Sequence, residues 1–202
     1  MRHSIPPLPG TGRPRRGLFV DHLGTLLVMP TRGYLKGPEE VLFSEDCLEA
    51  LFHAGQSGWN VYLVGNEASV HRGQVDAATW EAIHAEILSG LRAHGICPVR
   101  SYICIDHPES QTPHNKDSVY RLPNTGAMYH AAQADGISLP HSWVIGDHTE
   151  DLVAGWRAGC HTAGVRTGIA VQDGTLQVEP EFLAENLAVA VREVSAGTAV
   201  SR

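Results

Sequence analysis

Three short apolar runs in this chain end in a side chain able to do chemistry. Residues 17–20 run into Asp21, residues 61–64 into Gly65-Asn66, and residues 142–145 into Gly146-Asp147. Two carboxylates brought to one edge of a sheet offer hard oxygen ligands to a divalent cation. Histidines 22 and 148 follow the two aspartates directly, and an imidazole titrates near neutrality.

The elements that must carry these groups follow from periodicity. Strands are expected at residues 17–20, 61–64, 102–105, 142–145 and 161–165, and helices at 45–54, 77–94, 125–134, 150–158 and 181–194. Trp80, Ile83, Ile87 and Leu91 recur at three- and four-residue steps in the longest helix, which Gly95 stops. Such alternation predicts an α/β fold, a three-layer Rossmann-like parallel sheet with helices on both faces. In that architecture ligands bind beyond the carboxyl ends of the strands, where the three polar residues lie. Residues 65–101 are mostly filled by the long helix, which leaves no room for a large cap domain. Trp59, Trp80, Trp143 and Trp156 read as core.

The chain has 202 residues, 43% of them hydrophobic and 18% charged, which suits one globular domain. The expected organisation is a disordered basic leader at 1–16, one domain at 17–195 and a flexible tail at 196–202. Arg2, Arg13, Arg15 and Arg16 concentrate positive charge in the leader. The other 11 Lys and Arg face all 22 Asp and Glu, and so acidic a body excludes a nucleic-acid binder. No apolar run reaches the roughly 18 residues of a membrane span. Cys47, Cys97, Cys104 and Cys160 lack CxxC spacing, as expected of reduced thiols in a cytoplasmic protein.

Read together, Phe19-Val20-Asp21-His22-Leu23-Gly24-Thr25 and Val144-Ile145-Gly146-Asp147-His148-Thr149-Glu150-Asp151 resemble the haloacid dehalogenase superfamily. Gly33-Tyr34, the stretch from Val64 through Asn66 to Arg72-Gly73, Cys104-Ile105-Asp106-His107-Pro108 and Arg121-Leu122-Pro123-Asn124 then follow in order. Over residues 17–170 the pattern is similar to the D-glycero-D-manno-heptose 1,7-bisphosphate phosphatase and histidinol-phosphatase branch. The resemblance implies magnesium-dependent hydrolysis of a small sugar or alcohol phosphomonoester through an aspartyl-phosphate. It assigns Asp21 as nucleophile, Asp21, Asp147 and the Leu23 backbone carbonyl as magnesium ligands, and Asn66, Arg72 and Arg121 to the substrate side. Asp151 supports the metal loop.

Other parts of the pattern are missing. Leu23 stands where the general acid/base aspartate stands, Gly65 replaces a phosphate-binding Thr or Ser, and Leu122 replaces a lysine. The two leucines are expected to pack together as an apolar plug. The branch's zinc ligands read here Cys104, Asp106, Ser118 and Tyr120, a set that does not suit structural zinc. His107 and His114 do not complete it, and no zinc is expected.

A positioned acid/base contributes about 10² to 10⁴ in rate, and one preorganised donor about 10² to 10³. Without replacement by His22 or His148, turnover is expected to be weak. Two classes stay open: a phosphatase with a degenerate site, or a non-catalytic descendant that binds a phosphorylated metabolite or a protein partner.

Overall fold

The central strands form where β-branched and aromatic residues run without interruption, and they pair as one parallel sheet. The computed structural model describes residues 14–197. Strands β1 (Arg16–Asp21), β2 (Trp59–Val64), β3 (Arg100–Ser101), β4 (Trp143–Gly146), β5 (His161–Val165) and β6 (Phe182–Ala184) lie in the order β3-β2-β1-β4-β5-β6. All five pairings are parallel. Helices α1 (Cys47–Gln56), α2 (Ala68–His71), α3 (Ala77–Ala93), α4 (Gly126–Asp135), α5 (Thr149–Ala158) and α6 (Leu187–Ala196) make the crossovers.

Alternation along β1 separates two cores. Leu18 and Val20 face a layer that includes Leu51, Ile83, Ile87 and Val191. Phe19 faces Met128, Ala131, Val144 and Ala154. The three-layer α/β architecture thus stands, and no large cap is evident among the described residues. The strand order reverses between β1 and β4, the switch point at which such sheets open a crevice. Asp21 and Asp147 flank that point.

The sheet edges depart from expectation. The third strand covers only Arg100–Ser101, whereas 102–105 was expected. Tyr102 and Cys104 still donate to Leu63 and Gly65 carbonyls at 2.8 and 2.9 Å, so the chain follows β2 with no neighbour on its other side. The terminal helix begins at Leu187, not 181, because Asn186 caps it through Oδ1 on the Val189 N–H at 3.0 Å. The residues before it form β6. Trp59, Trp80 and Trp143 are buried, but Trp156 is 71% exposed on the outer face of α5.

Arg16 opens β1 in place of closing the leader. Its guanidinium lies 4.2 Å over Trp59 and donates to the Ser57 carbonyl. The rest of the expected leader, through residue 13, and the tail from 198 lie outside the described residues. No described helix is long and apolar enough to cross a membrane. All four cysteines are free.

Candidate active site

Asp21 ends β1 in the middle of the sheet and is almost fully buried. Burial pushes its carboxyl pKa up, and the neighbouring His22 offsets that only in part. Asp147, one residue beyond β4, is close enough to raise Asp21 further. Asp147 sits in a cradle of donors. Thr25 Oγ1 donates to its Oδ1 at 3.3 Å and the Ile169 N–H to its Oδ2 at 2.7 Å. A Cβ at Gly24 or Gly168 would fall 2.3 or 2.0 Å from Asp147 Oδ2, so both positions require glycine. The two aspartates singled out by sequence therefore do meet at the switch point.

Asp151, in the first turn of α5, completes a buried acidic trio. It accepts the His148 N–H at 3.1 Å. Burial, then Asp21 and Asp147, hold its carboxyl well above the usual range. His148 Nδ1 lies 3.0 Å from Asp147 Oδ1. Burial opposes its charge, but the carboxylates of Asp147, Asp151 and Asp21 outweigh that and push its pKa to about 10. His22 is enclosed between Asp21 and Glu67, with Nε2 3.2 Å from Glu67 Oε2. Again burial is overcome by two carboxylates, and its pKa reaches about 10. Sequence reasoning missed Glu67; its position one residue beyond Asn66 at the same strand end was the available signal.

The donor set fits a hard divalent cation. Asp21 Oδ2 is buried and has no hydrogen-bond partner, and the buried carboxylates of Asp147 and Asp151 lie close enough to act on their neighbours' charge. Asp147, His148 and Asp151 alone bring ligand atoms within 4.8 Å of one another.

Asn66 is held by its neighbours. Its Nδ2 donates to the Leu122 carbonyl (2.8 Å) and Glu150 Oε2 (2.9 Å), and its Oδ1 accepts the Leu122 N–H (2.9 Å). Leu122 points into the Phe19 core and is 1% exposed, whereas Leu23 packs against the other core. The expected plug of two leucines does not form, because the sheet separates the two side chains. Arg72 and Arg121 lie near the stacked rings of His71 and His107, whose centroids are 4.5 Å apart. Burial, then His107, Arg72 and Arg121, hold the His71 pKa low.

The four side chains at the zinc positions have separate partners. Asp106 pairs with His114 at 3.0 Å and Lys116 at 3.4 Å, and Tyr120 bonds His130 at 2.9 Å. Ser118 Oγ accepts the Tyr120 N–H, and Cys104 Sγ faces the Asp106 carbonyl. Beside Gly24 and Gly168 opens a cavity of about 510 Å³, lined by Leu27, Val28, Met29, Ile169 and Arg32 among others.

Comparison with known proteins converges on one family. A model described as HAD-hydrolase-like matches residues 119–190. The D-glycero-beta-D-manno-heptose-1,7-bisphosphate 7-phosphatase of Mesorhizobium japonicum is 30% identical over 166 residues, 82% of this chain and 73% of that protein. The D-glycero-D-manno-heptose-1,7-bisphosphate 7-phosphatase of Thermosynechococcus vestitus is 28% identical over 88% of this chain and 94% of its own length. In fold, the chain is similar to the Bordetella bronchiseptica D,D-heptose 1,7-bisphosphate phosphatase complexed with magnesium and phosphate. The TM-score is 0.76 at 24% identity, covering 90% of this chain and 99% of that one.

Proposed function

Since the chain belongs to the haloacid dehalogenase superfamily, in its heptose bisphosphate phosphatase branch, we propose that it hydrolyses a small phosphorylated sugar or alcohol slowly, through an aspartyl-phosphate on Asp21. The observation that carries this reading is the buried Asp21 carboxylate, one oxygen without a partner, set beside Asp147 at the switch point of the sheet.

Asp21, Asp147 and the backbone carbonyl of Leu23 would hold magnesium, which when bound neutralises charge between a carboxylate nucleophile and a phosphate. Attack by an Asp21 oxygen on phosphorus forms the acyl-phosphate bond as the ester P–O bond breaks. The leaving alkoxide then needs a proton. Leu23 has none to give, so in this reading water supplies it. Water next attacks the acyl phosphate, releases phosphate and regenerates Asp21. Arg72 and Arg121 bring positive charge suited to an anionic part of the substrate. Asn66 holds the Leu122 segment in place. The cavity beside Gly168 is large enough for a small leaving group.

A non-catalytic reading rests on Leu23 itself, since an apolar side chain packed on the core carries no proton. A magnesium-dependent phosphate-release screen over sugar phosphomonoesters, heptose bisphosphate included, separates the two. Slow release abolished in Asp21→Asn supports catalysis. Release equal in Asp21→Asn and wild type supports the binding role.

A further inference from the structure

We propose that the ester this site cleaves best is the phosphate of a phenol, its aromatic ring seated in the cavity beside Gly24 and Gly168. This rests on the phosphomonoester reading above and narrows its leaving group.

The cavity is walled by two loops, each tied to one of the two aspartates. Gly24 and Leu27 belong to the tight turn that follows the nucleophile. There the Leu26 and Leu27 N–H groups donate to the Asp21 and His22 carbonyls at 3.1 and 2.7 Å, and the Gly24 N–H donates to the Leu27 carbonyl at 2.9 Å. Gly168 and Ile169 belong to the loop whose Ile169 N–H holds Asp147 Oδ2. A group lodged between these loops lies beside the carboxylates that handle the phosphate.

Its lining selects against a polyol. The volume of about 510 Å³ suits a small organic group, and Leu27, Val28, Met29, Pro30 and Ile169 give it an apolar surface. Val28 and Ile169 remain 45% and 37% exposed, area that an apolar ligand would cover. The polar side chains are largely engaged elsewhere. The Ser44 hydroxyl donates to the Thr25 and Leu26 carbonyls at 2.6 and 2.8 Å. Arg32 pairs with Glu40 and lies 5.5 Å from the centroid of the Tyr34 ring, and Thr31 is exposed. Thr167 Oγ1, by contrast, is buried without a partner. That hydroxyl serves one polar substituent of a ligand, whereas a sugar would leave its other hydroxyls unpaired among apolar side chains.

Residue 23 points to the same class independently. Leu23 bridges to Leu27 within the turn that lines the cavity, and it has no proton to give. An aliphatic alkoxide is a base of roughly the strength of hydroxide, whose conjugate acid, water, has a pKa of ~15.7, and it leaves slowly unless protonated. A phenol ionises near ~10, so its oxygen departs as phenolate without an acid. As Asp21 forms the acyl-phosphate bond, the P–O bond to the ring oxygen breaks with its electron pair on that oxygen. Solvent protonates the phenolate after it has left, and water then releases phosphate from Asp21.

Steady-state phosphate release with magnesium from phenyl phosphate, benzyl phosphate and glycerol 3-phosphate tests both halves. The cavity is read in KM, expected to be about 10-fold or more lower for the two aromatic esters than for the glycerol ester. The leaving oxygen is read in kcat, expected to be about 10² or more higher for phenyl than for benzyl phosphate, the contribution of the absent acid. Val28→Asn, at a partly exposed position, should raise KM for phenyl phosphate severalfold. Equal KM for the aromatic and glycerol esters, or equal kcat for phenyl and benzyl phosphate, would overturn the inference and leave the phosphatase reading intact. No release from any of the three esters or from sugar phosphates would overturn that reading, and this inference with it.

Discussion

At the level of single side chains, the site divides into groups kept for chemistry and groups converted to structure. Asp21 retains an unpartnered oxygen, while both polar atoms of the Asn66 side chain are engaged by the backbone of Leu122. Asn66→Ala should therefore destabilise the fold by about 1–3 kcal/mol in denaturant unfolding, since it strands buried backbone groups of Leu122. A purely substrate-side role would instead raise KM and leave stability unchanged. Leu122→Lys should cost more, roughly 3 kcal/mol or above, because the lysine would enter an apolar core without a partner. The carboxylates were legible in the sequence because a polar residue closing an apolar strand has one place to go. The partners of Asn66, Leu122 and His22 were not, since each depends on which side of the sheet a loop returns to.

Secondary-structure elements were legible in proportion to their burial. The central strands β1, β2, β4 and β5 follow from apolar runs, and α3 from its helical spacing. The edges β3 and β6 have two and three residues, too few for period or propensity to register. One further device was invisible in sequence: Asp173 clamps the first turn of α5. It accepts the Thr149 N–H at 2.7 Å, the Thr149 hydroxyl at 2.6 Å and the Thr175 N–H at 2.8 Å. Partial burial pushes its pKa up, but these bonds dominate and bring it from 3.8 to about 2. A depressed carboxyl stabilises the fold above its unfolded pKa and loses that contribution as pH falls through the folded value. Unfolding free energy should thus drop between pH 3.8 and about 2. Asp173→Asn should flatten this part of the profile and cost about 1 kcal/mol near neutrality. An unchanged acid limb in the variant would show that Asp173 does not anchor α5.

The molecule as a whole concentrates buried charge at one sheet edge. His22 and His148 titrate near 10 in the folded protein against an ordinary 6.5. Groups with raised pKa hold their protons more tightly when folded. Their stabilisation is complete below pH 6.5 and disappears as pH rises through about 10. Asp21 and Asp151, also raised, contribute with the same sign at lower pH. Thermal stability without magnesium should fall across the alkaline range. Added magnesium should raise the melting temperature more at alkaline than at acidic pH, because the cation competes with protons for these carboxylates. A magnesium shift independent of pH would contradict the picture of cation and protons competing for Asp21 and Asp151. The architecture and the meeting of Asp21 with Asp147 were readable from motif order. The way two imidazoles counter four acidic side chains emerges only in three dimensions.

The reading of the site turns on residue 23, and turnover of a sugar phosphomonoester with magnesium tests it most directly. Leu23→Asp places a proton carrier two residues from the nucleophile and should raise kcat over wild type by on the order of 10² or more. Wild-type turnover already near a typical ~10 s⁻¹, with no gain in Leu23→Asp, would contradict the account.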